Sequence, residues 1–361
     1  MPIFHNTSEI ITDDIILDVS DKLAANGNDV FLKLEALNPC GSIKLKTARY
    51  LVDAVLKDCA TKTPRLIESS SGNLGIALAS LCAERSLSFE CVVDKNTLKS
   101  KKEHIAHLGG RVTVITEPDE NGGYLGSRLR YIRDRLARDP ELVWTNQYGN
   151  GANILAHYST TAPSLLRAIG PINYLFVGAG TTGTLLGCVR YFHEHSPATR
   201  IIAVDARGSV TFGGRPDKRY IPGIGTSKRP EMLDQSNLYP HEIVYAEERD
   251  TIDQCRRFSR RSGILIGGST GSVLAATEQY IRRHDLSGQV VALISPDLGD
   301  SYLPTIYNDQ WVREHFPEAP APDELQPVWS EESQAYRPDH GRSANGASSP
   351  PCCKAPFLPA R

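Results

Sequence analysis

The 361-residue chain has no uninterrupted apolar run of about 18 residues, so it offers no membrane-spanning helix. It also lacks an excess of positive charge. Lys and Arg number 40 against 42 Asp and Glu, a formal net charge of −2, which leaves no electrostatic footprint for nucleic acid or an anionic bilayer. None of the eight cysteines forms a Cys-x-x-Cys pair or stands at ligand spacing from a histidine pair, so no metal site is expected. Free, buried thiols in a reducing compartment account for most of them. The first residues, MPIFHNTSEIITDD, lack the basic-then-apolar order of a secretory leader. These absences together point to a cytoplasmic protein that works on small molecules.

What is present is a hydrophobic content of 40% beside 23% charge, and length enough for two core-forming domains. Short strands are expected at 14–19 and 29–34, followed by a helix from Lys44 to about Lys57. Strand and helix then alternate. Strands are read at 65–68, 88–93 and 111–115, and helices at 74–85, 99–108 and 123–138. A second series places helices at 158–168, 185–195, 250–262 and from the end of the 265–271 loop to about 284, with strands at 174–177, 200–204, 242–244 and 290–294. This alternation predicts an α/β protein of two domains, each with a parallel or mixed sheet flanked by helices. Residues 1–36 would pack as N-terminal strands on the larger domain, with 37–150 forming a smaller domain and 151–316 the larger one. Residues 317–361, rich in Pro, Ser and Ala, read as a disordered tail.

Four loops carry candidate chemistry. Asn38-Pro39-Cys40-Gly41-Ser42 delivers Lys44 to a helix start, where its amine is either a solvated cation or a nucleophile of lowered pKa. Ser69-Ser70-Ser71-Gly72-Asn73 runs from strand to helix and suits a carboxylate, or simply caps the helix. Gly178-Ala179-Gly180-Thr181-Thr182-Gly183-Thr184 satisfies the dinucleotide fingerprint in context and has Asp205 at the end of the next strand. Its three threonine hydroxyls equally suit a terminal phosphate monoester. Gly267-Gly268-Ser269-Thr270-Gly271 repeats the arrangement, and its serine can face a neutral heteroaromatic nitrogen. An amine, a carboxylate loop, a phosphate loop and a hydroxyl loop are together the partners of pyridoxal 5′-phosphate. A nicotinamide-dependent dehydrogenase built on Gly178–Gly183 and Asp205 is the alternative of a different class.

The motifs Asn38-Pro39-x-Gly41-Ser42-x-Lys44, Ser71-Gly72-Asn73-x-Gly75, Gly180-Thr181-Thr182-Gly183-Thr184 and Gly268-Ser269-Thr270-Gly271 resemble those of the fold-type II pyridoxal-phosphate enzymes. That is the cysteine synthase and cystathionine β-synthase group, whose fold is that of the tryptophan synthase β chain. The resemblance covers roughly residues 1–315. It implies Lys44 as the Schiff-base lysine and Asn73 as the partner of cofactor O3′. Gly180, Thr181, Thr182, Gly183 and Thr184 would hold the phosphate, and Ser269 would meet N1. Ser70, Ser71 and Gly72 would bind the substrate carboxylate, while Arg128 and Tyr148 would read substrate charge. Arg128 can equally be a solvated cation of its helix.

Further stretches, among them Glu117-Pro118-Asp119, Gly122-Gly123-Tyr124-Leu125 and Asn146-Gln147-Tyr148, resemble the branch of this family that joins an activated serine to glutamate. The substrates so implied are O-phospho-L-serine and L-glutamate, reacting through an aminoacrylate. The product would be N-(2-amino-2-carboxyethyl)-L-glutamate, a siderophore precursor. A homodimer is implied as well. A sulfur nucleophile, as in cysteine synthase or cystathionine β-synthase, and a non-catalytic relative keeping the fold remain open alternatives. The chain departs from the common pattern at Cys40, at Leu45-Lys46 (often Asp-Arg) and at Gly180, where close relatives often carry Ser.

Overall fold

Strands whose residues are buried on both faces and helices with one apolar stripe dictate a layered α/β architecture, and the computed structural model has it. It describes residues 3–11, 13–59, 63–70, 72–120 and 122–317. Most of the expected tail therefore lies outside the described residues, as does Ser71.

In chain order the elements are β1 (Ile16–Asp18), β2 (Asp29–Leu34), α1 (Lys44–Asp58), β3 (Arg65–Ser69), α2 (Asn73–Glu84), β4 (Phe89–Asp94), α3 (Lys99–His107), β5 (Arg111–Ile115), α4 (Leu125–Arg138) and β6 (Leu142–Trp144). There follow α5 (Ala152–Ser159), α6 (Thr161–Ile169), β7 (Tyr174–Gly178), α7 (Gly183–His195), β8 (Arg200–Ala206), α8 (Glu231–Gln235), β9 (Glu242–Ala246), α9 (Glu248–Ser262), α10 (Gly268–Arg283), β10 (Val290–Ser295) and α11 (Asp309–His315). A four-stranded parallel sheet has the order β5-β4-β3-β6, and a six-stranded sheet the order β1-β2-β10-β7-β8-β9. Within the larger sheet only the β1–β2 pair is antiparallel.

Each sheet has its own core. Leu45, Ala48, Leu51, Val52 and Val55 of α1 recur at helical spacing and pack with Leu74, Leu78 and Leu81 of α2 and with Phe89 and Cys91 of β4. Phe176, Ile202, Val204, Val291 and Leu293 build the centre of the larger sheet. In both sheets the strand order reverses direction beside a central strand, and ligands of such sheets bind outside the carboxyl ends of the strands at that point. The loops after β3, β7 and β10 all leave from those ends.

One expected helix starts later than read, and the helix before it, α5, is unexpected. The sequence suggested a single helix over 158–168, but the chain breaks at Thr160 between α5 and α6. Pro163 is the reason. In a continuous helix its ring would meet the Ser159 carbonyl and its missing N–H would leave that acceptor unpaired, so it sits in the first turn of a new helix instead.

Candidate functional site

The Lys44 loop is held by Asn38. Its Nδ2 donates to the carbonyls of Glu35 and Ser42, each at 2.9 Å, and its Oδ1 accepts from Cys40 N–H at 3.0 Å. Gly41 takes φ +64°, a left-handed conformation open to glycine. Ile43 N–H then donates to the Pro296 carbonyl at 2.8 Å, and Ser42 bridges to Asp297, so α1 begins against the end of β10. Lys44 is half-buried. Burial pulls its ammonium down to about 8, opposed by the nearby charge of Glu68. A usable fraction of neutral amine near neutrality is what attack on an aldehyde requires.

Glu68, near the end of β3, carries no local sequence signal for a role in the site. It is wholly buried, and it accepts from Ser69 N–H (2.7 Å), Trp144 Nε1 (3.2 Å), Thr145 Oγ1 (2.6 Å) and Gln147 N–H (2.9 Å). Four donors converging on one carboxyl are the environment of a carboxylate, although burial pushes its pKa upward.

In the loop after β3, Ser70 Oγ accepts from Gly72 N–H at 3.2 Å and Gly75 N–H at 2.9 Å. Its lone pairs therefore tie down the start of α2, leaving one hydroxyl proton to donate elsewhere. A Cβ on Gly75 would stand 2.7 Å from Cys91 Sγ and 2.8 Å from Ile105 Cδ1, which fixes glycine there. Asn73 faces across the cleft. Its Nδ2 donates to Asp297 Oδ2 at 2.7 Å, and its Oδ1 accepts from Lys101 Nζ at 2.9 Å.

The loop after β7 turns through Thr182, whose φ of 69° is left-handed, into the N-terminus of α7. Asn153 Nδ2 donates to Thr181 Oγ1 at 3.1 Å, freeing the Thr181 proton for another acceptor. Thr182 Oγ1 instead donates back to the Thr181 carbonyl at 2.6 Å, so Thr182 contributes to the turn rather than a free hydroxyl proton. Thr184 Oγ1 stands 3.3 Å from His157 Nε2, which also meets Thr47 Oγ1 at 3.0 Å. Burial and the neighbouring lysines hold His157 well below its ordinary pKa, hence neutral. Gly180 lies so close to the next loop that a Cβ would come within 3.1 Å of the Gly223 carbonyl; a serine there would require a shift.

Ser269 is buried at the start of α10, beneath Gly223 (φ +95°), where an added Cβ would be 3.5 Å from Ser269 Oγ. None of α2, α7 and α10 carries an acid in its first turn. Three helix N-termini of positive polarity thus open on one cleft, suited to anionic groups.

Arg128 is not a solvated cation. It is 6% exposed, on the inner face of α4, with Nη1 3.6 Å from Asp94 and with Nε and Nη1 making no hydrogen bond. Tyr148 is half-buried; burial raises its phenol pKa, and Arg128 is close enough to oppose that rise. Asp205 is fully buried, with Oδ1 accepting Ala206 N–H at 2.8 Å, and cannot reach a ribose. That placement removes the acidic partner on which the dinucleotide reading relied. The departure at Leu45-Lys46 is also explained. Leu45 enters the α1–α2 core and Lys46 points away from the cleft into a buried cluster with Asp13 and Glu35.

An amine of lowered pKa, helix N-termini with no acid in their first turns and a buried hydroxyl fit an aldehyde-bearing aromatic phosphate. Comparison with known proteins points the same way. Residues 16–297 match the family profile described as pyridoxal-phosphate dependent enzyme. The chain is 39% identical over 286 residues to N-(2-amino-2-carboxyethyl)-L-glutamate synthase of Ralstonia nicotianae, covering 79% of this chain and 84% of that one. Among solved structures it is similar to an O-acetylserine dependent cystathionine β-synthase from Helicobacter pylori, with a TM-score of 0.77 and 29% identity over 85% of this chain and all of that one. It is likewise similar to O-ureido-L-serine synthase, with a TM-score of 0.77 and 26% identity over 92% of this chain and 99% of that one. No helix among the described residues is long and apolar enough to cross a membrane, and no cluster of metal-ligating side chains occurs among them.

Proposed function

Because the chain belongs to the pyridoxal-phosphate dependent enzymes and is a β-replacement enzyme of the cysteine synthase family, we propose that it joins O-phospho-L-serine to L-glutamate. The products would be N-(2-amino-2-carboxyethyl)-L-glutamate and phosphate, and the pathway one that supplies a siderophore precursor. The observation that carries this reading is Arg128, a guanidinium almost without solvent whose Nε and Nη1 make no hydrogen bond and whose carboxylate neighbour, Asp94, stands at 3.6 Å. A buried cation left so poorly paired favours a strongly anionic ligand, and a phosphate ester or a dicarboxylate amine supplies one where acetate and sulfide do not.

Bound pyridoxal phosphate supplies an electron sink that lets a β-substituent depart. The protein's own groups do the rest. Lys44 Nζ would hold the cofactor and, once released, would take the Cα proton and return it. The backbone of Gly180 and Gly183, with Thr181 and Thr184, would hold the phosphate, and Thr182 shapes the turn. Asn73 would donate to the ring oxygen and Ser269 would face the ring nitrogen. A serine hydroxyl at that position would leave the ring nitrogen unprotonated, a setting that would favour elimination over transamination. Ser70 and Gly72 orient the substrate carboxylate, and Arg128 with Tyr148 neutralises the leaving phosphate. A homodimer, and a division into a smaller unit near 37–150 and a larger one near 151–316, belong to the same proposal.

The test is a product assay. Protein loaded with pyridoxal phosphate is given O-phospho-L-serine with L-glutamate, sulfide or homocysteine, and products are identified by mass. Formation of the glutamate adduct supports the proposal; turnover with a sulfur nucleophile alone replaces it with a cysteine synthase or cystathionine β-synthase reading. Arg128→Gln should retain the visible absorption band of bound cofactor and lose about 100-fold or more in kcat/KM for O-phospho-L-serine, the cost of leaving an anion without its cation.

A further inference from the structure

Lys101 has no place in the reaction as just described, yet it reaches the centre of the site. It belongs to α3, is 7% exposed, and lays its stem along the loop after β3. A Cβ on Gly72 would lie 2.7 Å from Lys101 Cδ and 2.9 Å from Nζ. Its ammonium donates to Asn73 Oδ1 at 2.9 Å and stands 5.5 Å from the centre of the Tyr302 ring. Among the described residues no carboxylate lies within ion-pairing distance of it, although Asp297 is near enough to favour its charged form. Asp297 in turn is buried, and its Oδ2 accepts from Asn73 Nδ2 at 2.7 Å and from Tyr302 Oη at 2.8 Å.

Asn73 is thus gripped from both sides by opposite charges. An amide can ordinarily be turned over with little change in shape, exchanging its oxygen and nitrogen. Here the reversed amide would set NH₂ against an ammonium and C=O against a carboxylate, and both contacts would be repulsive. Only one orientation survives. It leaves one Nδ2 hydrogen for the cleft, since the other is spent on Asp297.

We propose that Lys101, acting with Asp297, is a positioning residue that locks the Asn73 amide so that it presents an N–H donor to an anionic, phenol-type oxygen. The idea rests on the functional reading above, in which that oxygen is O3′ of the cofactor. Lys101 would then favour the ionised O3′ form of bound cofactor over the protonated form without touching either.

The experiment is absorption spectroscopy of the full-length protein reconstituted with pyridoxal phosphate. The long-wavelength band reports ionised O3′ and the short-wavelength band its protonated form. Lys101→Met, which keeps the stem, should lower the ratio of long- to short-wavelength absorbance about fivefold, the equilibrium weight of one hydrogen bond. Lys101→Arg, which keeps a cationic donor, should hold the ratio near wild type. An unchanged ratio in Lys101→Met overturns the inference, and so does an equal loss in the Met and Arg variants, which would indicate packing alone. Should Lys101→Met lack native circular dichroism, Gly72→Ala decides. Its new methyl displaces the ammonium without removing it, and a fallen ratio supports the inference where an unchanged one overturns it. If wild-type protein shows no cofactor band that Lys44→Ala removes, the functional reading itself fails, a result distinct from any of these.

Discussion

Lys46 Nζ lies 2.6 Å from Glu35 Oε2, and both side chains are almost fully buried. Lys46 also contacts Asp13 and donates to Thr161 Oγ1 at 3.3 Å, while Lys33 stands 3.6 Å from Glu35. Two residues earlier on the same helix, Lys44 faces the cleft. The two lysines therefore have opposite energetic signs. Losing Lys46 leaves Lys33 alone to balance Glu35 and Asp13, so Lys46→Met should destabilise the cofactor-free protein by about 3 kcal/mol, the low end for a broken buried pair. Lys44→Ala removes an ammonium that burial already disfavours, and should leave stability equal to wild type or raise it. Urea unfolding of the two variants side by side checks this. Equal losses would mean that Lys44 is as structural as Lys46.

Much of this arrangement was legible in the sequence. Lys44 at a helix start, the loop after β7 and Ser269 all depend on local signals, namely a turn, glycines and a helix beginning, which short-range pattern carries. The residues that were missed act across the sequence. Glu68 acts on Lys44 electrostatically from β3, Lys101 meets Asn73 from α3, and Asp297 meets it from just beyond the end of β10. Nothing local marks a Lys in Lys99-Ser100-Lys101-Lys102 as the buried one. The α5–α6 break had a local cause in Pro163 that the apolar periodicity outweighed. Asp205 shows the reverse error, because correct spacing for a dinucleotide site says nothing about whether the carboxylate is buried.

The lowered pKa of Lys44 has a kinetic consequence. A lysine of ordinary pKa is almost entirely protonated at pH 8, whereas one near 8 is about half neutral and reacts with aldehydes. The initial rate of pyridoxal phosphate capture by cofactor-free protein, followed at the visible band, should therefore rise with pH and level off just above pH 8. A rate still climbing steeply at pH 9.5 would show that Lys44 is not desolvated as described. The same experiment with Glu68→Gln should move the midpoint to lower pH, since the Glu68 carboxylate favours the charged amine.

Asp205 offers the clearest pH dependence of stability. Burial raises its pKa from 3.8 to about 6, against hydrogen bonds from Ser209 and Ala206 and the charge of Arg219, and its Oδ2 has no hydrogen-bond partner. The native state therefore binds this proton more tightly than the unfolded chain does. The resulting stabilisation is complete below pH 3.8 and is lost as pH rises through about 6. Above that, the protein buries an ionised carboxylate with one unsatisfied oxygen. Asp205→Asn keeps a neutral side chain of the same shape at every pH and should be more stable than wild type at pH 8. Between pH 5 and pH 8 the gap in unfolding free energy should widen by about 1.4 kcal/mol, one logarithmic unit of proton affinity. Urea midpoints of the two proteins at both pH values measure it. A gap that stays constant would mean that Arg219 already compensates the charge, and that Asp205 is ionised throughout.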